Sequence, residues 1–483
     1  MPELPRVRPA DAAPVAVAAV AAVGLGAAAI FRHDHYGSNG YDLGIFDQTV
    51  WGYSRFEFVP NTILRLPNAL GDHFHPILMT LAPLYWIWDD ARVLLIAQAV
   101  LIALAGLPIF FWARQQLGTS AAYAFEVAYL AFWGVLGGDI FDFHELAFAA
   151  PIVSFALYAT VTRRWRLLWT MAVLGCLTRE DVTLAFVGLG LYLLLQRRFR
   201  LGGALIAATF LWFIVAVKLV IPALADRAYQ QWYYTRLGDG PGEAAVHVVL
   251  HPIDTIRLFF TPRDKLLALF NLFAPWLALP LASPLAVAML PPLAARFLSD
   301  KPSHWAPQGF HYSLVLAPML AFAAIDGAAR LRRWSAGGAP LVPAALGVAV
   351  LLAGLYFSFG RLRPLDELHR YTTPSQIASI RACLRRIPPR ASVSATSALV
   401  PHLSHRRSIY VLDGRPLAGT DYIAIDTSTW RFPLTLDDLR GLVRDRFAHG
   451  FGVECAEGGT IVLRRGARLR RLPAGVRHAL GGT

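Results

Sequence analysis

The sequence is poor in charge, cysteine and lysine for its length. Of its 483 residues only 16% are charged, 56% are hydrophobic, and the mean hydropathy is +0.46. Soluble globular proteins carry about 25% charged residues and cannot bury this much apolar surface. The composition therefore excludes a uniform soluble domain, and it excludes disorder across the apolar part of the chain.

The charge that is present is concentrated near the C-terminus. Residues 360–483 contain 20 arginines, no lysine and 10 acidic residues, a net charge of +10, whereas residues 1–359 have a net charge of only +3. We expect a polytopic transmembrane domain over 1–359, a small extracytoplasmic α/β domain over 360–470 and a disordered tail over 471–483. In the α/β domain the pattern predicts helices over 373–386 and 434–447 and strands over 391–395, 408–412, 422–425 and 460–463.

The three cysteines fall into two settings. Cys176 lies within an apolar run, where a small buried side chain is the ordinary interpretation. Cys383 and Cys455 lie in the basic domain, and they are able to pair if that domain faces an oxidising compartment. Their spacing alone does not decide whether they do.

Short arginine-rich loops between the apolar runs set the expected orientation. They lie at residues 114, 163–166, 197–200 and 330–333, and the positive-inside rule places them, with Arg6 and Arg8, in the cytoplasm. About eleven crossings satisfy every cluster, with the N-terminus in the cytoplasm and the C-terminal domain outside. The run 75–88 contains two prolines and is expected to be interfacial or re-entrant. The predicted spans are 12–31, 91–113, 120–137, 144–162, 167–178, 182–196, 201–221, 265–281, 284–298, 312–329 and 339–357.

The loops on the opposite side of the membrane carry most of the candidate catalytic and ligand-binding residues. Two of these loops, loop one and loop two, lie early in the chain, and two later ones cover 222–264 and 299–311. Loop one (32–74, continuing to 76) and loop two (137–145) mix acidic residues with histidines: Asp42, Asp47, Asp72, His73 and His75 in the first, and Asp139, Asp142, His144 and Glu145 in the second. Taken singly, such residues mostly cap helices or make ordinary hydrogen bonds. Together they are costly to desolvate without a cation or ligand.

Two interpretations of these loops remain open. Carboxylates with imidazole suit a divalent metal such as Mg²⁺ or Mn²⁺, and a nearby carboxylate would serve as general base. The same side chains would otherwise orient an acceptor. The candidates for either role are Asp142, His144, His73 and His75.

A second unusual group lies at a break between two apolar runs. Arg179, Glu180 and Asp181 form either an internal salt bridge or a phosphate clamp in which an acidic neighbour holds Arg179. Lys218, one of only three lysines, either extends its charge to the membrane surface or makes a second phosphate contact. His311 and Tyr312 fit an aromatic belt or a site equally well.

Seven short motifs follow one another along the apolar part: Asp42–Gln48, His73–Pro76, Ala82–Tyr85, Asp142–His144, Arg179–Asp181, Leu298–Ser299 and His311–Ser313. In this order they resemble the predicted membrane protein family of domain of unknown function 2079, over roughly residues 35–330. Glu145 stands where the family pattern has proline, so Asp142 and His144 rank above it.

That family is similar to the GT-C superfamily of integral-membrane glycosyltransferases, which have many helices, catalytic acids in outer loops and often an outer C-terminal domain. The resemblance implies hexosyl or pentosyl transfer from a polyprenyl-phosphate donor to an envelope glycan, lipid or protein at the outer face of the plasma membrane. Asp42 or Asp47 is then the base, and Arg179 and Lys218 bind the donor phosphate. The supporting residues are Glu180, Asp181, His311 and Tyr312.

Two rival functions follow from the same residues. A transporter or flippase of a lipid-linked or anionic solute would use the charges at residues 179–181 to line a pathway, although no internal repeat is visible. A non-catalytic envelope scaffold would use the basic domain to bind anionic polymer or lipid. Nucleic acid is not an expected partner of a domain outside the cell, whereas the lipid bilayer is.

Overall fold

The computed structural model describes residues 12–306, 310–334, 342–369, 372–415, 419–469, 471 and 473. Arg6, Arg8 and all but two residues of the predicted 471–483 tail lie outside the described residues. The described chain forms a helical part followed by a small mixed sheet with helices. This confirms the expected class, a polytopic helical protein with a small C-terminal α/β domain, and the boundary near residue 360 stays a prediction.

The helical part contains long apolar helices and shorter ones. Among the described residues, six helical stretches are long and apolar enough to cross a membrane: Ala12–Asp34, Arg92–Leu117, Thr119–Ile140, Phe199–Ala225, His311–Arg333 and Val342–His369. Shorter apolar helices cover Pro76–Trp86, Leu146–Val161, Trp165–Thr178 and Pro284–Phe297. The α-helices are α1 (Ala12–Asp34), α2 (Ile45–Tyr53), α3 (Arg92–Leu104), α4 (Gly106–Leu117), α5 (Thr119–Leu130), α6 (Trp133–Ile140), α7 (Leu146–Val161), α8 (Trp165–Thr178), α9 (Thr183–Leu195), α10 (Phe199–Val215), α11 (Ile221–Ala225), α12 (Pro241–Leu250), α13 (Pro252–Phe260), α14 (Arg263–Phe273), α15 (Leu290–Phe297), α16 (Pro302–Trp305), α17 (Leu316–Trp334) and α18 (Val342–Leu355).

Two predicted segments differ from the structure. The span expected over 265–281 ends as an α-helix at Phe273, and 3₁₀ turns follow at Ala274–Trp276 and Leu279–Ala282. Pro275 and Pro280 lie in those turns, and proline lacks the N–H that a continuing helix needs. The loop expected over 222–264 instead contains α12 and α13, which expose apolar side chains such as Val249.

The C-terminal domain is a five-stranded sheet with two helices. Its strands are β1 (Val393–Ala395), β2 (Ile409–Val411), β3 (Tyr422–Asp426), β4 (Phe451–Glu457) and β5 (Thr460–Arg465), and its helices are α19 (Pro374–Leu384) and α20 (Leu436–Ala448). The strand order is β2-β1-β3-β5-β4, with β1 parallel to β2 and β3 and the β3–β5 and β5–β4 pairs antiparallel. The sequence pattern missed β4. Cys383 on α19 and Cys455 on β4 form a disulfide.

Loop one completes the core of this domain. Tyr36, Ile45 and Ile63 belong to the same apolar cluster as the buried residues of β1 and β2. The contact is close at a π-helical turn, Gly40–Gly44, where a Cβ on Gly40 would lie 2.8 Å from a methyl group of Val411. The α/β domain therefore fixes the backbone of loop one instead of hanging from the helical part as a separate module.

Polar contacts strengthen the same junction. The buried carboxylate of Asp47 accepts hydrogen bonds from Tyr85 Oη at 2.6 Å and from Ser404 Oγ. His405 lies between two carboxylates, with Nε2 3.0 Å from Asp47 Oδ1 and Nδ1 3.1 Å from Asp89 Oδ1. Burial lowers the pKa of His405, but Asp47 and Asp89 outweigh it, so the pKa is raised above its usual value. The protonated imidazole thus stabilises the docking of the domain.

Candidate active site

Asp42 lies on the π-helical turn of loop one. The turn begins after Asn39, whose side chain accepts a hydrogen bond from the Tyr41 N–H at 3.0 Å. Single π-turns recur at functional sites because they redirect a side chain. Oδ1 of Asp42 lies 3.1 Å from His144 Nε2, and the Asp42 side chain is 16% exposed. Among the described residues, no hydrogen bond reaches its second oxygen.

His144, in loop two, is held from several sides. Its backbone N–H donates to Gln98 Oε1 at 2.9 Å, and Nδ1 lies 3.0 Å from Glu145 Oε2. Its ring stacks on that of His311 with the centroids 3.3 Å apart. Burial lowers the pKa of His144, but Glu145 and Asp42 outweigh it and the pKa is raised. The imidazole is therefore biased towards the charged form beside Asp42.

The Gln98 amide also fixes the backbone of loop two. Its Nε2 donates to the carbonyl oxygens of Asp139 and Asp142, both at 2.9 Å. Gln98 is the only polar residue between Val93 and Leu104. A single amide in an apolar helix was a signal for this role, and the sequence interpretation passed over it.

Asp142 links loop two to loop one. Arg32 Nη1 lies 2.6 Å from Asp142 Oδ1, and the backbone N–H and side-chain amide of Asn39 both donate to Oδ2. Because Asn39 also caps the turn that carries Asp42, Asp142 positions that turn. The backbone of Asp142 has φ 133°, a region that residues other than glycine rarely adopt. Strain of this kind persists where surrounding contacts hold it, and here both oxygens are held.

Arg179 is fully paired. Its Nη1 lies 2.9 Å from Glu145 Oε1, and its Nε and Nη2 bind the two oxygens of Asp181 at 2.6 and 2.5 Å. The break between α8 and α9, which places Arg179 in extended backbone, allows this fork. Glu145, which the sequence ranked low, is thus the bridge between His144 and Arg179.

Glu180 binds loop one at a second point. Its oxygens accept from the Phe74 N–H at 3.1 Å and from Tyr229 Oη at 2.9 Å, and Oε1 lies 2.6 Å from His73 Nδ1. Burial lowers the pKa of His73, but Glu180 and then Asp72 outweigh it, and the pKa is raised to about 9. His73 and Glu180 are therefore a charged pair that anchors the end of loop one.

Most of the predicted site residues thus converge in one polar network, which comprises Asp42, His73, Asp142, His144, Glu145, Arg179, Glu180, Asp181 and His311. Tyr312 borders it, with its ring 4.3 Å from that of His311. Three residues lie apart from it. Asp47 belongs to the domain junction, Lys218 is exposed, and His75 is buried against Phe46 with no hydrogen bond to its Nδ1 within the described chain.

The divalent metal expected between the two loops stays a prediction. Across the described ranges, no three His, Cys, Asp or Glu side chains converge in a way that would hold an ion. The carboxylates of the polar network are instead directed at arginine, histidine and amide groups.

The sequence interpretation missed Lys301, which borders the network. Its Nζ lies 4.7 Å from the centre of the Tyr233 ring, and no carboxylate of the described chain lies within ion-pair distance. Burial lowers the pKa of Lys301, and the nearby carboxylates of Asp72 and Asp42 offset this effect only in part. Arg296, also buried, donates to His304 O at 2.8 Å and Ser313 Oγ at 2.9 Å without a carboxylate partner in the described residues. Two uncompensated cations beside the network favour an anionic ligand.

The fold of the described chain is similar to that of ArnT. ArnT from Cupriavidus metallidurans bound to undecaprenyl phosphate aligns with a TM-score of 0.57 and 14% identity over 96% of this chain and 99% of that chain. The apo structure of the same protein aligns with a TM-score of 0.57 and 13% identity over 94% of this chain and 97% of that chain. The Archaeoglobus fulgidus oligosaccharyltransferase, tethered with an acceptor peptide, aligns less well, with a TM-score of 0.42 and 13% identity over 86% of this chain and 69% of that chain.

The chain thus shares the overall fold of ArnT. The chain itself belongs to the predicted membrane protein family DUF2079, whose model matches residues 32–450. No functionally curated protein matches the sequence significantly.

Proposed function

We propose that this protein is a membrane glycosyltransferase that moves a hexosyl or pentosyl group from a polyprenyl-phosphate donor to an envelope acceptor. The observation that carries the proposal is the placement of Asp42. Its carboxylate is partly exposed, and only one of its oxygens is bonded, to His144, whereas both oxygens of each of the other four carboxylates in the polar network are bonded to described groups. One acid is left free to exchange a proton with a bound molecule.

Asp42 is the proposed general base. The acceptor hydroxyl gives its proton to the carboxylate, and its oxygen attacks the anomeric carbon of the donor sugar. The bond between that carbon and the phosphate oxygen breaks, and polyprenyl phosphate leaves with the electron pair. Charged His144 favours the ionised form of Asp42 before the reaction and fixes its orientation. We prefer Asp42 to Asp47 because the Asp47 oxygens already serve the domain junction.

Negative charge grows on the leaving phosphate, and Lys301 is the proposed group that meets it. Arg179 remains a candidate for this contact, but Glu145 and Asp181 already neutralise it. Lys218 is exposed and lies near the backbone of Gly240. Lys301 is the stronger candidate because its charge has no carboxylate partner in the described residues and faces Asp42 and Asp72.

The site is proposed to face the outside of the plasma membrane, with the N-terminus in the cytoplasm. The Cys383–Cys455 disulfide belongs to the domain that packs on loop one, and disulfides persist in oxidising compartments. The arginine-rich loops lie at the opposite ends of the same helices, as the positive-inside rule requires.

The test uses purified full-length protein with a panel of undecaprenyl-phosphate-linked hexoses and pentoses. Release of undecaprenyl phosphate with formation of a glycosylated product, abolished by Asp42→Asn, is the expected result. Uptake of an intact donor into sealed vesicles without covalent product would instead establish the transporter, and the glycosyltransferase proposal would then be wrong.

A further inference from the structure

A cavity of about 200 Å³ lies at the end of the helical part opposite to Asp42. It is lined by the last residues of α7 and α9, the loops that follow them, and parts of α4 and α17. Helix α7 has 16 residues and therefore separates the cavity from His144 by about 24 Å. The cavity is distinct from the polar network, and the glycosyl-transfer mechanism does not use it.

Two arginines give the cavity a positive charge. Arg163 and Arg198 both line it, and neither has a carboxylate within ion-pair distance among the described residues. The acid in the lining, Asp326, is already compensated, because Arg330 Nε lies 2.8 Å and Ser283 Oγ 2.7 Å from its Oδ2. The walls therefore carry an excess of positive charge that an anion would neutralise.

The same walls offer hydrogen-bond donors of the kind that phosphate accepts. The guanidinium of Arg198 lies 4.9 Å from the centre of the Trp165 ring, which holds it beside the cavity. Trp112 also lines the cavity, and its buried indole N–H has no acceptor in the described part of the chain. Buried donors are nearly always satisfied, so this N–H calls for an acceptor atom from a ligand.

The surroundings favour a lipid as the source of that phosphate. Phe199 and Leu195, on either side of the Arg198 loop, are 65% and 55% exposed, and on a membrane-spanning helix such apolar surface faces acyl chains. Basic pockets between helices at a membrane face bind anionic headgroups. An arginine pair binds phosphate oxygens in fixed geometry, which a point charge does not.

We propose that this cavity binds the phosphate of an anionic phospholipid headgroup, with Arg163 and Arg198 as the charged contacts and Trp112 as a neutral donor. The lipid is a structural ligand that ties the ends of α7 and α9 together. The site stands whether or not the protein transfers sugars.

The experiment compares full-length protein in nanodiscs of phosphatidylcholine with and without added phosphatidylglycerol. We expect phosphatidylglycerol to raise the thermal unfolding midpoint of the wild type, since a ligand that binds the native state stabilises it. The double variant Arg163→Gln/Arg198→Gln is expected to lose this gain. The matched control Arg166→Gln/Arg200→Gln removes the same charge from the first turns of α8 and α10, at residues that do not line the cavity, and it is expected to keep the gain.

If both double variants lost the phosphatidylglycerol stabilisation equally, the arginines would act only through a diffuse attraction to the anionic membrane surface. That result would overturn the proposal. Trp112→Phe keeps the charge and the ring but removes the N–H, and it is expected to weaken phosphatidylglycerol binding several-fold; unchanged binding would remove Trp112 from the site. Inorganic phosphate is added to the phosphatidylcholine sample as a further arm. If it reproduces the whole gain, free phosphate and not a lipid is the ligand.

Discussion

Asparagine substitutions at Asp42 and Asp47 separate the two acids of loop one. Asp42→Asn keeps an oxygen for the single hydrogen bond with His144 but removes the proton acceptor. Loss of a general base costs about 10²- to 10⁴-fold in rate, which is roughly 3–5 kcal/mol of activation free energy. Only a small change in stability is expected, because the side chain is partly exposed and makes one hydrogen bond.

Asp47→Asn is expected to do the reverse. The buried carboxylate accepts from Tyr85, Ser404 and His405, and an asparagine would turn an N–H₂ group towards one of these donors. Hydrogen bonds to charged groups contribute about 1.5–3 kcal/mol each, so the free energy of unfolding should fall by about 3 kcal/mol. The activity of the protein that remains folded should stay close to that of the wild type.

The assay measures release of undecaprenyl phosphate from a linked sugar and, in parallel, the thermal unfolding midpoint of each variant. Dividing the transfer rate by the amount of folded protein separates an effect of a substitution on catalysis from an effect on stability. If Asp47→Asn lost transfer with an unchanged midpoint while Asp42→Asn kept full activity, the roles assigned from the two environments would be reversed.

Three other predictions concern the phosphate contact, the domain junction and the disulfide. Lys301→Gln is expected to weaken binding of undecaprenyl phosphate in native mass spectrometry at least tenfold, whereas Lys218→Gln, which removes the same charge from an exposed residue, should leave it unchanged; equal effects would refute the assignment. Because the folded-state pKa of His405 is raised above 6.5 by two carboxylates, its contribution to stability is full below pH 6.5 and is lost as pH rises through the folded-state value. His405→Gln should therefore make the unfolding midpoint less dependent on pH in this range. A pH profile identical to that of the wild type would contradict the role assigned to His405. Replacing Cys383 and Cys455 with alanine removes a crosslink between residues 72 apart, and the free energy of unfolding of the domain should fall by about 4 kcal/mol; an unchanged denaturation midpoint would show that the crosslink does not stabilise it.

The apolar helices and the α/β domain could be predicted because both depend on local patterns. A run of apolar residues long enough to cross a bilayer specifies a helix by itself, since the lipid offers no other partner for the backbone. Strand β4 was missed because its side chains are mostly half-buried at the edge of the sheet, so they do not alternate clearly between apolar and polar. Composition predicts a span over 265–281, whereas Pro275 and Pro280 restrict the backbone so that the α-helix ends at Phe273.

Some residues of the candidate site could likewise be predicted from the sequence, and others could not. Asp42, His144 and Arg179 could be singled out from the sequence because polar clusters between apolar runs are costly unless they are used. The sequence marks Gln98 as unusual, but the partners of Gln98 and Glu145 do not follow from it, because each of them acts on a residue that only folding brings next to it. Lys301 lies more than 250 residues from Asp42 in the chain, and no spacing pattern relates the two.

The sequence by itself determined that this is a basic, polytopic membrane protein with an α/β domain at its end, because hydropathy, charge and residue pattern are properties of the linear chain. Only the tertiary structure distinguishes the surroundings of Asp42 and Asp47, which lie five residues apart in one loop. The α/β domain packs on that loop, binds both oxygens of Asp47 through Ser404 and His405, and leaves Asp42 facing His144. The proposed choice of Asp42 as the base thus depends on contacts with residues that are distant in the chain.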